Sequence, residues 1–137
     1  MKPLPAIMLF LLSLYIISCE NDDEKSERFK LLTQVVWQSD SLLVNGMDAS
    51  GAGQLLEEFK GEAVFRTDGT GSFGNYTGTW RFAQNETELV ISAAELPFPL
   101  VTRIAELTPV SLKVTAAFPN PHDPPNPLML RLTFKPK

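Results

Sequence analysis

Leu128-Met129-Leu130-Arg131-Leu132-Thr133-Phe134-Lys135 alternates without a break. Leu128, Leu130, Leu132 and Phe134 fall on one side of an extended chain, and Met129, Arg131, Thr133 and Lys135 fall on the other. Successive side chains of a strand point to opposite faces, so this pattern predicts a strand with one buried face and one solvated face. A helix would gather its apolar residues at intervals of three and four instead. Pro136, which has no N–H to give to a ladder, marks the end of the run.

The same period continues backward along the chain. Residues 111–118 set Leu112, Val114, Ala116 and Phe118 against Lys113 and Thr115. A strand over 98–107 precedes them, and 88–93 puts Leu89, Ile91 and Ala93 on one side. Residues 72–77 and 79–83 read as two strands separated by Gly78. In 62–67, Ala63 and Phe65 oppose Glu62, Val64 and Arg66, and 35–44 contains Trp37. Asp68-Gly69, the 84–87 stretch Gln-Asn-Glu-Thr, Pro97 and Pro109 supply turn signals between these runs. A short helix over 26–34, with Phe29 and Leu32 on one face, comes before the strands. Eight or so short strands in a row, without a crossover helix, predict an all-β antiparallel up-and-down meander. One apolar face per strand lets the meander close into a small barrel, which removes its edges. A sandwich is the alternative closure.

Chain parity then makes a geometric prediction. If eight strands hold, successive connections alternate between the two barrel ends. The short turns near Asp68, Gln84 and Pro109 share one end, and the long stretches 45–60 and 120–127 share the other. The expected shape is a cup with its mouth at the long-loop end and the N-terminal tether leaving from the tight end. One continuous strand over 72–83 would bring the count to seven and separate the long loops.

The N-terminus carries a different message. Lys2 is followed by the apolar run 7–17 and then by Ser18 and Cys19, the single cysteine of the 137 residues. A run of roughly ten residues is short for a spanning helix. Ile16-Ile17-Ser18-Cys19 resembles the lipobox of bacterial lipoproteins, in which the cysteine takes a lipid and becomes the new N-terminus. That resemblance implies a signal peptide over 1–18, lipid attachment at Cys19 and a membrane anchor. It also consumes the one thiol, which removes cysteine catalysis and thiolate metal sites. Residues 19–27 are polar and acidic after the cysteine, as a flexible tether should be. The acidic cluster resembles the surface-export signal of Bacteroidota lipoproteins, with a plain spacer as the other reading. The location expected is the outer membrane, lipid-anchored, facing either the periplasm or the cell exterior.

Whole-chain net charge is −4, and loss of Lys2 with the leader makes it −5. That acidity argues against nucleic-acid binding, which needs a basic face. About 119 residues then remain for the tether and one domain, expected over 28–137.

An ordered set of short motifs in that domain resembles the small lipocalin-like domains of Bacteroidota lipoproteins. The set begins with Trp37 and continues with Phe65-Arg66-Thr67-Asp68-Gly69-Thr70-Gly71 and Thr77-Gly78-Thr79-Trp80. Leu89-Val90-Ile91, then Ile104-Ala105-Glu106-Leu107-Thr108 with Leu112, and the final strand into Lys135-Pro136 complete it. The resemblance implies a barrel that binds a small hydrophobic ligand, with Trp37, Phe65, Trp80, Phe118 and Leu130 as candidate lining. The competing reading packs these aromatic and apolar side chains as core. In that case the domain is an accessory lipoprotein that docks on an envelope protein partner through its rim. Gly-rich 45–53, followed by Leu55, Leu56 and Phe59, would be a lid over the mouth or a short amphipathic helix packed on the rim.

Other chemical motifs lack their context. Gly69-Thr70-Gly71-Ser72-Phe73-Gly74 satisfies G-x-G-x-x-G, but strand-like residues follow where a dinucleotide site needs a helix. Asp68, Thr70 and Ser72 open like a calcium loop, yet Thr79 stands where a bidentate Glu is required. His122, the single histidine, sits in the proline-rich 119–127 stretch without companions for a metal or catalytic set. Glu57-Glu58 and the Glu86/Glu88 pair read as solvated faces. Asp40-Ser41-Leu42 resembles the O-glycosylation motif of Bacteroidota, which would make Ser41 the acceptor. No catalytic residue, cofactor or metal is expected, so binding is expected and an enzyme is not.

Overall fold

The computed structural model describes residues 25–137. The expected leader, Cys19 and most of the tether lie outside the described residues. Helix α1 spans Glu27–Thr33, and the strands are β1 (Trp37–Val44), β2 (Met47–Asp48), β3 (Glu62–Phe65), β4 (Thr70–Phe73), β5 (Tyr76–Ala83), β6 (Glu88–Ala93), β7 (Leu100–Thr108), β8 (Ser111–Phe118) and β9 (Leu128–Pro136). From β3 onward every strand pairs antiparallel with the next in sequence. β1 pairs with β9 from Trp37↔Pro136 to Val44↔Leu130 and closes the cylinder. The result is an eight-stranded antiparallel barrel with one extra short strand, β2, hung on β1.

Alternation decides which side chains enter. On β9, Leu130, Leu132 and Phe134 are buried while Met129, Arg131 and Lys135 are exposed. Leu112, Val114 and Ala116 of β8 enter opposite them. Ser26 caps α1 by accepting from the Phe29 N–H at 3.0 Å, inside the stretch expected as tether. The helix then covers one barrel end: Leu32 is wholly buried, and its carbonyl accepts from Trp37 Nε1 at 3.1 Å. Arg28 Nε donates to the Glu86 carbonyl at 3.0 Å and Ser26 Oγ to the Glu86 carboxylate at 2.7 Å, which ties the helix to the β5–β6 turn.

The strand count of eight around the barrel stands, but the break falls elsewhere. The turn between β4 and β5 is Gly74-Asn75, where Phe73 pairs with Tyr76, and Gly78 lies inside β5. Gly74 has φ +64, which a two-residue hairpin loop with glycine first requires. Gly78 serves close approach instead: a Cβ there would collide with the Ser92 carbonyl oxygen of β6. The Gly-Asn pair was the stronger turn signal in the sequence.

Connections 66–69, 84–87 and 109–110 therefore share the helix end. Connections 45–61, 74–75, 94–99 and 119–127 share the opposite end, the mouth.

Gly78→Ala should cost about 3 kcal/mol, at the upper end for overpacking, because strand backbone blocks the new methyl. Gly46→Ala has open space around it and bears mainly the penalty of its φ of +82, about 1 kcal/mol. Chemical denaturation midpoints of the two variants test the order.

Candidate functional site

The barrel interior is filled. Phe65, Phe73, Leu89, Ile91, Leu112, Val114, Leu132 and Phe134 converge and leave a void of about 20 Å3. That is space for about one water, and the lining is apolar apart from Thr102, whose hydroxyl donates to the Leu89 carbonyl at 2.8 Å. A dry, packed centre does not hold a ligand.

The mouth is built differently. Residues 49–61 return from β2 to β3 across it. Their backbone is tied down by Ala49 N–H to the Leu42 carbonyl at 2.8 Å and Leu56 N–H to the Ala49 carbonyl at 2.9 Å. Leu56 and Phe59, at a 3-10 turn over Glu57–Phe59, drop into the barrel end and are buried. This is the segment expected as a lid over the mouth or a short helix packed on the rim, and it packs there through a 3-10 turn. Asn75 fastens it: its N–H donates to the Glu58 carbonyl at 2.8 Å and its Nδ2 to the Glu58 carboxylate at 2.9 Å.

Beside the lid the wall parts. The β7–β8 ladder stops at Arg103↔Thr115, although both strands continue toward the mouth. Leu100, Val101 and Thr102 still pair with β6, and Ala116, Ala117 and Phe118 still pair with β9. Extending the register would set Val101 opposite Ala117 and Pro99 opposite Pro119. Neither proline has an N–H to donate, so pairing at the rim itself is closed off, and the observed ladder ends short of it. Side chains fill the seam instead, with the Phe98 and Phe118 rings 5.5 Å apart.

Behind these rings lies a cavity of about 170 Å3, lined by Leu55, Leu56, Phe59, Tyr76, Glu95, Leu96, Pro97, Phe98, Leu100, Phe118 and Leu130. In front lies an open groove of about 430 Å3, formed by Pro97, Phe98 and Phe118 with Pro119, Asn120, Pro121 and Pro124. The two hollows share Pro97, Phe98 and Phe118, so the aromatic pair divides an inner chamber from an outer one. Among the described residues, no lysine, arginine or histidine lines either hollow. Phe59 and Tyr76 pack edge to face at 4.9 Å on the inner wall. Burial raises the Tyr76 phenol above its ordinary pKa, and the Glu58 and Glu95 carboxylates raise it further. The phenol therefore stays protonated at neutral pH.

Of the five residues expected to line a ligand site, Phe118 and Leu130 meet at this cavity. Phe65 faces the small internal void. Trp37 lies under α1, wholly buried. Trp80 packs against Phe29, Phe65 and Phe82, with its Nε1 donating to the Arg66 carbonyl at 2.9 Å. It borders a shallow hollow of about 290 Å3 at the helix end. Ser41 is half-buried, and its Oγ lies 2.6 Å from Thr133 Oγ1, so the expected acceptor hydroxyl is already engaged across the β1–β9 ladder. His122 is exposed. Among the described residues, no three His, Cys, Asp or Glu side chains gather as a metal set would.

Tyr76, Glu95, Leu96 and Phe98 were not expected at the site. Phe98 was read as the start of a strand over 98–107, whereas β7 starts at Leu100. The signal was Pro97-Phe98-Pro99: two prolines around an aromatic exclude regular ladder bonding and leave the ring free to pack at a rim.

No protein-family model matches this chain, and no curated protein matches it.

Tyr76 is the one tyrosine after residue 19, so absorbance titration of the chain from that residue reads it alone. Its midpoint should lie above the ordinary value of 10, and Glu95→Gln should lower it by removing one of the two charges. An unchanged midpoint in the variant would place Glu95 away from the phenol.

Proposed function

We propose that this protein is a lipid-anchored envelope lipoprotein of the lipocalin-like kind that holds a small apolar molecule at the mouth of its barrel. The observation that carries the reading is the contrast between a void of about 20 Å3 in the barrel centre and an apolar cavity of about 170 Å3 at the rim. An apolar cavity of about 150 Å3 accepts a benzene-sized guest, so the inner chamber suits one ring or a short branched chain. A longer ligand would continue past Phe98 and Phe118 into the groove. Apolar lining with a few polar groups is the usual make-up of a ligand site. In this reading the domain binds and presents its guest without transforming it.

The anchor rests on the junction at Cys19. With the tether leaving from the helix end, the mouth points away from the membrane. No described helix is long and apolar enough to cross a membrane.

Docking on an envelope protein is the second reading, and one observation favours it. Met129 and Val101 are 53% and 50% exposed on outward-facing positions of β9 and β7 near the mouth, apolar surface that a partner would cover.

Native mass spectrometry of the protein purified from its own host tests the first reading. A small-molecule adduct should accompany the wild-type chain and be lost from Leu96→Trp, whose indole fills the chamber. A bare wild-type chain with a protein cross-linked through position 129 would favour docking. For the anchor, Cys19→Ala should move the domain from the membrane fraction to the soluble one, and full retention would refute lipidation.

A further inference from the structure

The mouth has a charge preference as well as a shape. Glu95 stands on the wall of the inner chamber, on the 94–99 turn, and takes part in none of the ion pairs among the described residues. Glu58 lies close behind, bonded to Asn75 next to Tyr76. Among the described residues, no cationic side chain lines the chamber or the groove to balance them. Three aromatic rings, Phe59, Phe98 and Phe118, turn toward the same space, along with Tyr76. Ring faces carry the negative part of the aromatic quadrupole and attract a cation. Carboxylate and ring faces therefore act in the same direction.

We infer that the mouth selects a small apolar amine, bound as its ammonium ion, over neutral or carboxylate ligands of the same size. The inference rests on the ligand-binding reading of this cavity. The apolar part of the guest occupies the inner chamber against Leu96, Leu100 and Leu130. Its ammonium group lies at the rim beside Glu95, within reach of the Phe98 and Phe118 rings and partly in water. A carboxylate in the same pose would meet Glu95 and Glu58 with one phenol, Tyr76, as donor. The Glu58 and Glu95 charges, which add to the effect of burial in raising the Tyr76 pKa, oppose that pose and favour the ammonium. The chain's net charge of −4 acts in the same sense over longer distances.

A matched probe series tests this: benzylamine, benzyl alcohol and benzoate share a ring and differ in head group. Each is titrated at pH 7 and low salt into the mature chain carrying Cys19→Ala, with the Phe98 and Phe118 resonances followed by NMR. Benzylamine should bind about tenfold tighter than benzyl alcohol, and benzoate weaker than both. Glu95→Gln should shrink the benzylamine advantage to about threefold, leaving the ring contribution. Asp40→Asn, outside the lining of both hollows and paired with Lys135 on the outer surface, should leave it unchanged. Added salt should weaken benzylamine binding to the wild-type chain while sparing benzyl alcohol. Equal affinity for all three probes, or an advantage that neither Glu95→Gln nor salt reduces, would overturn the amine preference and leave the cavity reading standing. No response of the two phenylalanines to any probe would overturn both.

Discussion

β1 hydrogen-bonds to β9 along its length, and that ladder turns a meander into a cylinder. An open sheet of the same strands would present two edges and an exposed apolar face. Closure buries the inward residues of β1, Trp37 and Leu42, among those of β9. It also brings the first and last strands together at the helix end, where Trp37 meets Pro136 and its indole reaches back to Leu32. One bulge, between Ser39 and Ser41, takes up the curvature and turns Asp40 outward to Lys135. Loss of this ladder would uncover the core and undock the helix together.

The two barrel ends solve the problem of closure in different ways. At the helix end, tight turns leave a narrow opening, and one short amphipathic helix fills it with Leu32. At the mouth, β1 runs on after its pairing with β3 has ended at Gln38↔Glu62, so a wider gap must be covered. The 49–61 segment does that with Leu56 and Phe59. The cover is incomplete because the β7–β8 seam is left unzipped near the rim, and the chamber behind Phe98 and Phe118 is the space left over. The hollow therefore lies at the rim beside an open seam and needs no enlarged barrel.

Much of the fold was legible because it follows from alternation. The limits of 88–93 and 111–118 match β6 and β8 residue for residue, since turn signals bracket an alternating apolar set in each run, although Val90 on the other face of β6 is buried as well. The break between β4 and β5 was misplaced because two glycines lie four residues apart and play opposite parts. Gly74 turns the chain and Gly78 lets β6 approach. Backbone approach across strands leaves no mark on period. The site was less legible. Phe118 and Leu130 were among the candidate lining, but so were Phe65 and Trp80, which face the packed parts of the same barrel. Inward direction is a local property, whereas distance from the mouth depends on the register of neighbouring strands.

By itself the sequence determined the all-β class, the inward face of most strands, the parity that gathers long connections at one end, and the acidic character that disfavours nucleic acid. These depend on near neighbours in the chain and on composition. Tertiary structure alone decided that the barrel centre is full, that the β7–β8 seam stops short, and that Tyr76, Glu95, Phe98 and Phe118 share one chamber. Those residues come from separate turns and strands, and only ring closure and strand register set the distances between them.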